Sequence, residues 1–302
     1  MHVSLAIWAM QAFTGLSNFS VLLLLALGLA IIFGQMGVIN MAHGEFLTVG
    51  AYTTYVLSQV SERWAPWLEK TYFLVAVVVA FFLAGGLGLL VEHVLVRRLY
   101  RRPLDTLLAT WGLSLVMQQA FRSTFGAREV SATLPDWLMG SLKPTPSIDI
   151  PINGLVVLGL AIALTGGVAF ILLRTRFGVD VRATVQNRAM ASAAGINTGR
   201  VDRLTFGLGC GLAGIAGAAF TTIGSTGPTS GSSYIVDAFL VVVFGGAQSL
   251  IGTIGSAFSI AQLQATTEFF MTGSMAKVLT LSTVILILMM RPQGLFALKV
   301  RR

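Results

Sequence analysis

The chain has 302 residues, 55% of them hydrophobic and only 11% charged, with a mean hydropathy of +0.81. Soluble domains carry about 25% charged residues, so this composition excludes an ordinary soluble enzyme or carrier and points to one polytopic membrane domain covering 1-302. The formal charge of +8 does not indicate nucleic acid, because the basic residues cluster beside apolar runs instead of spreading over a polar face with aromatics between them.

The first apolar segment lacks a positive n-region, since no lysine or arginine precedes Arg63, and it is expected to stay in the mature protein rather than to be cleaved. Apolar periodicity places spans near 16-36, 42-60, 71-96, 104-124, 152-173, 204-224, 234-250, 253-272 and 275-291. The run at 154-173 has twenty residues without a charge, about 30 Å as a helix, which matches the hydrocarbon core of a bilayer. The expected fold is therefore an all-α membrane helix bundle of eight to nine transmembrane segments, some of them broken or re-entrant. Eight crossings result if 234-272 or 34-60 turns back within the membrane.

Orientation follows from the basic residues. Arg97, Arg98, Arg101 and Arg102 share one loop, Arg174, Arg176, Arg182, Arg188, Arg200 and Arg203 another, and Arg291, Lys299, Arg301 and Arg302 the tail. Short cytoplasmic loops collect such charges, so these fourteen of the twenty basic residues belong inside, with the amino terminus outside and the carboxyl terminus inside. The outside segment 126-151 holds Pro135, Pro144, Pro146, Pro151 and Trp137 and reads as a structured loop. Lys277, at an outer helix end, is expected to snorkel to the headgroups. Cys210 cannot form an internal disulfide and reads as a buried packing residue. Gly207, Gly211, Gly214 and Gly217 in one span, and Gly85, Gly86 and Gly88 in another, suit close helix packing, with mobile hinges as the rival reading.

Two segments depart from simple spans. At 33-52, Gly34, Gln35, Gly37, Asn40, His43, Gly44 and Glu45 interrupt the apolar pattern. Such backbone is tolerated at membrane depth only where it faces protein or a wet cavity. A looser counterpart lies at 244-258, with Asp237 upstream and Gln264 and Glu268 downstream. Paired interruptions of this kind point to a transport site. Asn40, His43, Glu45, Asp237, Gln248 and Glu268 are therefore the candidate pathway residues, although a carboxylate can equally hold a helix break together. Glu92 and His93 are expected to pair with nearby basic groups, and Asp105 to cap its helix or to pair with Arg101 or Arg102.

Between two inside spans, 174-203 is a long polar loop in which VRATVQNRAMASAAGI predicts one exposed helix ended by Gly195, with Ala189, Met190, Ala193 and Ala194 as apolar contacts. It reads as an amphipathic helix on the membrane surface or as a docking element for a cytoplasmic partner. There is no GxxxxGK[ST] loop, no HExxH, no CxxC and no Gly-x-Ser-x-Gly elbow, so no catalytic or metal-ligating residue is assigned and the chain is not expected to be an enzyme. Energy for uphill transport then comes from an ion gradient or a separate ATPase.

Over essentially its whole length the chain resembles the inner-membrane permeases of branched-chain amino-acid-type ABC importers. The resemblance rests on GVINMAHGEFLTVGAY at 37-52, RPLDTLLATWGLSL at 102-115, RATVQNRAMASAAGIN at 182-197, YIVDAFLVVVFGGAQSLIGTIGSAF at 234-258 and RPQGLF at 291-296. Within the group, RPLDTLLATWG and QNRAMA are most similar to the urea-transport permease. The resemblance implies a multi-pass protein of the bacterial inner membrane. It pairs with a second related permease as a heterodimer, with two cytoplasmic ATP-binding subunits that hold ATP and Mg²⁺, and with a periplasmic substrate-binding protein that docks on loops such as 126-151. No cofactor is expected in this chain. The cytoplasmic coupling loop 174-203, with Gln186, Asn187, Arg188, Ala193 and Gly195, corresponds in place to the segment offered to the ATPases, although it departs from the Glu-Ala-Ala sequence of many ABC permeases. Urea is the expected cargo, with Asn40, Glu45, Gln248 and Asp237 as its hydrogen-bond partners. A branched-chain amino acid is the alternative within the family, and a stand-alone proton-coupled transporter or channel using Glu45 or Glu268 is the alternative outside it.

Overall fold

The computed structural model describes residues 2–100, 102–145, 148–246 and 249–291. Helices α1 (His2–Met36), α2 (His43–Arg63) and α3 (Tyr72–Val91) come first, and α3 runs through a π-turn at Glu92–Val96 into α4 (Arg97–Leu99). Next is α5 (Pro103–Phe125), opened by a proline in its first turn and closed by Gly126 at φ 89°. The segment that follows pairs β1 (Ser141–Thr145) with β2 (Ile148–Pro151) as an antiparallel hairpin, which feeds straight into α6 (Ile152–Arg174). The remaining elements are α7 (Arg176–Gln186), α8 (Arg188–Ala193), α9 (Thr198–Phe220), α10 (Ser230–Gly245), α11 (Leu250–Phe270) and α12 (Gly273–Met290).

A helix stands at each expected span, and five are long and apolar enough to cross a membrane: Ala6–Met36, Tyr72–Leu99, Ile152–Arg174, Thr198–Phe220 and Gly273–Met290. Two expectations change, and one loop gains detail. The first helix starts at His2 instead of near 16 and, at 35 residues, extends about 52 Å. The outside loop 126-151 contains a β-hairpin. The single helix expected at 181-196 is two helices, because Asn187 leaves the helical region (φ −155°, ψ 101°) and its side chain caps α8 by accepting from the Met190 amide at 3.0 Å. The local side-chain bond competes with helix continuation and wins. Gly195, at φ 87°, closes α8 as expected.

The bundle is built around α9, which packs on α1, α2 and α3. From Val21 to Leu27 every residue of α1 is buried, so this part of α1 lies inside the protein, whereas Ile7, Trp8 and Met10 near its start are exposed. Contact with α9 is backbone to backbone. A methyl group on Gly50 would lie 1.9 Å from the Gly214 carbonyl oxygen, one on Gly217 1.9 Å from that of Leu47, and one on Gly28 2.4 Å from that of Gly209. The glycines therefore serve packing, as small residues do where lipid supplies no hydrophobic drive. Cys210 is fully buried, facing Gly88 of α3.

Candidate functional site

The interrupted segment turns back into the bundle. Nε2 of His43, the first residue of α2, lies 3.3 Å from the Leu25 carbonyl oxygen. Leu25 precedes the end of α1 by eleven residues, about 16 Å of helix. Residues 37–42 therefore climb back from the end of α1 to its middle, starting at Gly37, whose φ of +63° turns the chain in a conformation that glycine adopts without steric cost. The polar interruption at 33-52 is thus a break between two helices, with residues 37–42 folded back along α1.

The segment carries three buried polar side chains with unused capacity. Asn40 is 1% exposed; its Oδ1 accepts from the Ala42 amide at 3.1 Å, and its Nδ2 has no partner. His43 is fully buried with Nδ1 unpartnered. Glu45, also fully buried, accepts from Ser114 Oγ at 2.9 Å and from Gln118 Nε2 at 2.8 Å through Oε1, while Oε2 has no partner. Among the described residues no cation pairs with it. Burying such groups unpaired costs free energy, which a matching polar ligand would recover.

Ser114 and Gln118 were not anticipated as site residues. They belong to a polar ridge on α5, Thr106, Thr110, Ser114 and Gln118, one residue per turn along a helix whose middle is otherwise mostly apolar. Thr106, Thr110 and Ser114 are buried, and Thr110 Oγ1 accepts from the Met41 amide at 3.1 Å. Spacing by four places all of them on one helix face, and that regularity was the readable signal.

The second group of candidates is held differently. Asp237 of α10 pairs with Lys277 of α12 at 3.1 Å, and the same ammonium donates to the Ser233 carbonyl at 2.8 Å and lies 5.7 Å from the Tyr234 ring centroid. Lys277, whose side chain is 40% exposed, is held by this carboxylate because the start of α12 lies beside α10. Glu268 accepts from Gln264 one turn earlier on α11, at 2.9 Å. Gln248 lies outside the described residues.

At the arginine-rich end, Gln186, Asn187, Ala193 and Gly195 are exposed, and so are Ala189, Met190 and Ala194. Arg188 turns inward. Its guanidinium donates to Asp202 of α9, which is fully buried, and sits 5.5 Å from the Tyr100 ring centroid. Asp202 also accepts from Gln35 in the last turn of α1 at 3.4 Å. Tyr100 donates to Glu92 Oε1 at 2.6 Å, and Arg203 Nε approaches Glu92 Oε2 at 3.5 Å. Glu92 thus pairs as expected, but with α9 instead of its neighbours in sequence. Burial, then the bond to Glu92, raises the Tyr100 hydroxyl well above the ordinary tyrosine range. Asp105 pairs with Arg102 at 3.5 Å, as anticipated; Arg101 lies outside the described residues.

The profile of the family described as "Branched-chain amino acid transport system / permease component" matches residues 11–290. The chain belongs to this family. The permease is 27% identical to the Salmonella typhimurium high-affinity branched-chain amino acid transport system permease protein LivH, over 94% of both chains. It is 24% identical to the Pseudomonas aeruginosa counterpart BraD, again over 94% of both. A probable branched-chain amino acid transport permease protein LivH from Methanocaldococcus jannaschii is 22% identical over 91% of this chain and 88% of that one. No solved structure matches the permease. Family and fold together make it a multi-pass membrane protein.

Proposed function

We propose that this permease is the membrane-spanning subunit of an ABC importer in a bacterial inner membrane and that its cargo is a branched-chain amino acid, the cargo named for its relatives. A periplasmic binding protein delivers the cargo, a second related permease completes the pathway, and two ATP-binding subunits engage the exposed part of 174-203. The observation that carries the pathway assignment is the set of unused polar atoms in the re-entrant segment. Glu45 Oε2 is free to accept from an ammonium, and Asn40 Nδ2 to donate to a carboxylate or carbonyl. ATP binding shifts the balance between two packings of the bundle, and cargo is released inward.

A second reading, urea, is favoured by a specific feature of the same segment. Its buried groups are an amide, an imidazole, hydroxyls and a carboxylate, and among the described residues the one lysine paired inside the bundle, Lys277, is engaged by Asp237. A neutral diamide needs no cation, whereas an amino acid's carboxylate is best met by one. The RPLDTLLATWG and QNRAMA stretches fit this reading too.

The deciding experiment reconstitutes the complete transporter and measures ATP-dependent uptake of labelled leucine and labelled urea. Leucine uptake supports the first cargo, and urea uptake without leucine replaces it. Uptake of either by this chain alone, without ATPases, overturns the importer reading. Glu45→Gln in the assembled transporter should lower uptake at least tenfold with assembly unchanged; unaltered uptake removes the re-entrant segment from the pathway.

A further inference from the structure

The arginine-rich end contains a cavity of about 870 Å³ lined by Met36, Arg97, Arg98, Tyr100, Arg102 and Arg188, with Thr198 and Gly199 of α9 on its rim. Two of its four arginines are already matched, Arg102 by Asp105 and Arg188 by Asp202. Arg97 and Arg98 have no acidic partner among the described residues, and the first turn of α9 adds the positive end of a 23-residue helix. The cavity therefore carries unbalanced positive charge suited to a phosphate-type anion.

What surrounds it selects among anions. Leading away from Arg97 and Arg98 along α3 is an exposed apolar stripe, Leu83, Leu87, Leu90 and Val94. From Arg102 along α5 runs another, Leu104, Leu108, Trp111 and Leu115. Each is spaced as one helix face. Both helices rise from the cavity, and α5 meets the α3 column at the π-turn and α4. A soluble anion would use the arginines and ignore the stripes. An acidic protein segment would likewise have no use for apolar tracks that extend a dozen residues into the membrane. A diacyl phospholipid uses both, with its phosphodiester among the arginines and its acyl chains along α3 and α5. Basic pockets at the cytoplasmic ends of membrane helices hold anionic headgroups in this manner.

We propose that this cavity is a specific site for one anionic phospholipid, its headgroup held by Arg97 and Arg98 and its tails along the two stripes. Because Arg188 and Tyr100 line the same cavity and also join the network to Asp202 and Glu92, the occupied site sits directly against the loop that faces the ATP-binding subunits.

The test titrates the full-length chain in detergent with phosphatidylglycerol or phosphatidylcholine and reads retained lipid by native mass spectrometry, with inorganic phosphate as competitor. One phosphatidylglycerol should be retained per chain under conditions that strip phosphatidylcholine, and inorganic phosphate in roughly a thousandfold molar excess over the lipid should not displace it. Arg97→Gln with Arg98→Gln should weaken retention at least tenfold, Arg97→Lys with Arg98→Lys should restore most of it, and Arg122→Gln should leave it unchanged; equal elution profiles establish that the variants are folded. Equal retention of the two lipids, or no effect of the double glutamine variant, overturns the proposal. Displacement by phosphate makes this a soluble-anion site instead. Release of the lipid when ATP-binding subunits assemble, with assembly weakened by the same glutamine variant, assigns the arginines to an acidic protein surface.

Discussion

Removing the Arg188 guanidinium tests whether this residue ties the exposed loop to the bundle or only presents itself to a partner. In Arg188→Ala the Asp202 carboxylate, with no exposure to solvent, keeps a single donor among the described residues, Gln35 at 3.4 Å. Breaking a fully buried pair costs about 3–5 kcal/mol. The Arg188 side chain is 47% exposed, and water screens part of that attraction, so about 1–3 kcal/mol is expected. Adding Asp202→Asn removes the stranded charge and leaves an amide that Gln35 can still bond, so the double variant should recover about half of the loss. The assays are thermal unfolding of the purified chain and the number of ATP molecules hydrolysed per cargo molecule moved by the complete transporter. The single variant should melt lower and waste ATP, and the double variant should melt higher than the single one yet stay uncoupled. Arg188→Ala that melts like wild type but fails to bind the ATP-binding subunits, with Asp202→Asn silent, would refute the tie and make Arg188 a docking residue.

Gln118→Ala removes one of the two side-chain donors to Glu45 Oε1 and leaves Ser114 there. Losing a bond to a buried carboxylate costs about 1–3 kcal/mol, and uptake by the variant should fall severalfold while its assembly with partners persists. Tyr100→Phe deletes the 2.6 Å bond to Glu92, a loss of about 1.5–3 kcal/mol for a bond to a charged acceptor, and should lower the thermal midpoint without changing oligomeric state. Gly217→Ala places a methyl group 1.9 Å from a backbone oxygen of α2. Helix separation there costs about 1–3 kcal/mol or more, so a fall in folded yield is expected, whereas Gly86→Ala, which meets open space, should be neutral.

What the sequence disclosed depended on how local the cause was. The charge-free run at 154-173 becomes α6 because length and apolarity suffice to define a spanning helix, and the break at 37–42 was visible because Gly37 and Asn40 cannot continue an apolar span cheaply. Gly195 ends a helix for reasons contained within one turn. Partners across the bundle were another matter. Glu45 is bonded by Ser114 and Gln118, 69 and 73 residues away, and the cation that pairs with Glu92 is Arg203 of α9, at 3.5 Å, so pairing charges with their sequence neighbours misses both partners. The partner of Lys277 was hidden for a related reason: its position at a helix end suggested headgroups alone, and the neighbouring helix also brings Asp237 to within 3.1 Å.

The way α9 is packed explains why a small movement at the arginine-rich end need not dissipate. Its first turns carry Asp202 and Arg203, which hold α8, the end of α1 and the π-turn of α3. Further along, Gly209 lies against Gly28, and beyond it Gly214 and Gly217 lie against Gly50 and Leu47, one turn from Glu45. Side chains at a helix interface can absorb a displacement by changing rotamer; backbone against backbone cannot, and close-packed contacts pass strain on. On the importer reading proposed above, a shift imposed on α8 through Arg188 would move α9 as a body and reach α2 beside the interrupted segment. The π-turn at Glu92–Val96 is the place where α3 departs from regular helix, and such turns concentrate at functional sites. Glu92 fastens that turn to α9 through Arg203, and Tyr100 ties Glu92 to Arg188 of α8, so on the importer reading proposed above a switch between two packings would have to pass through these contacts.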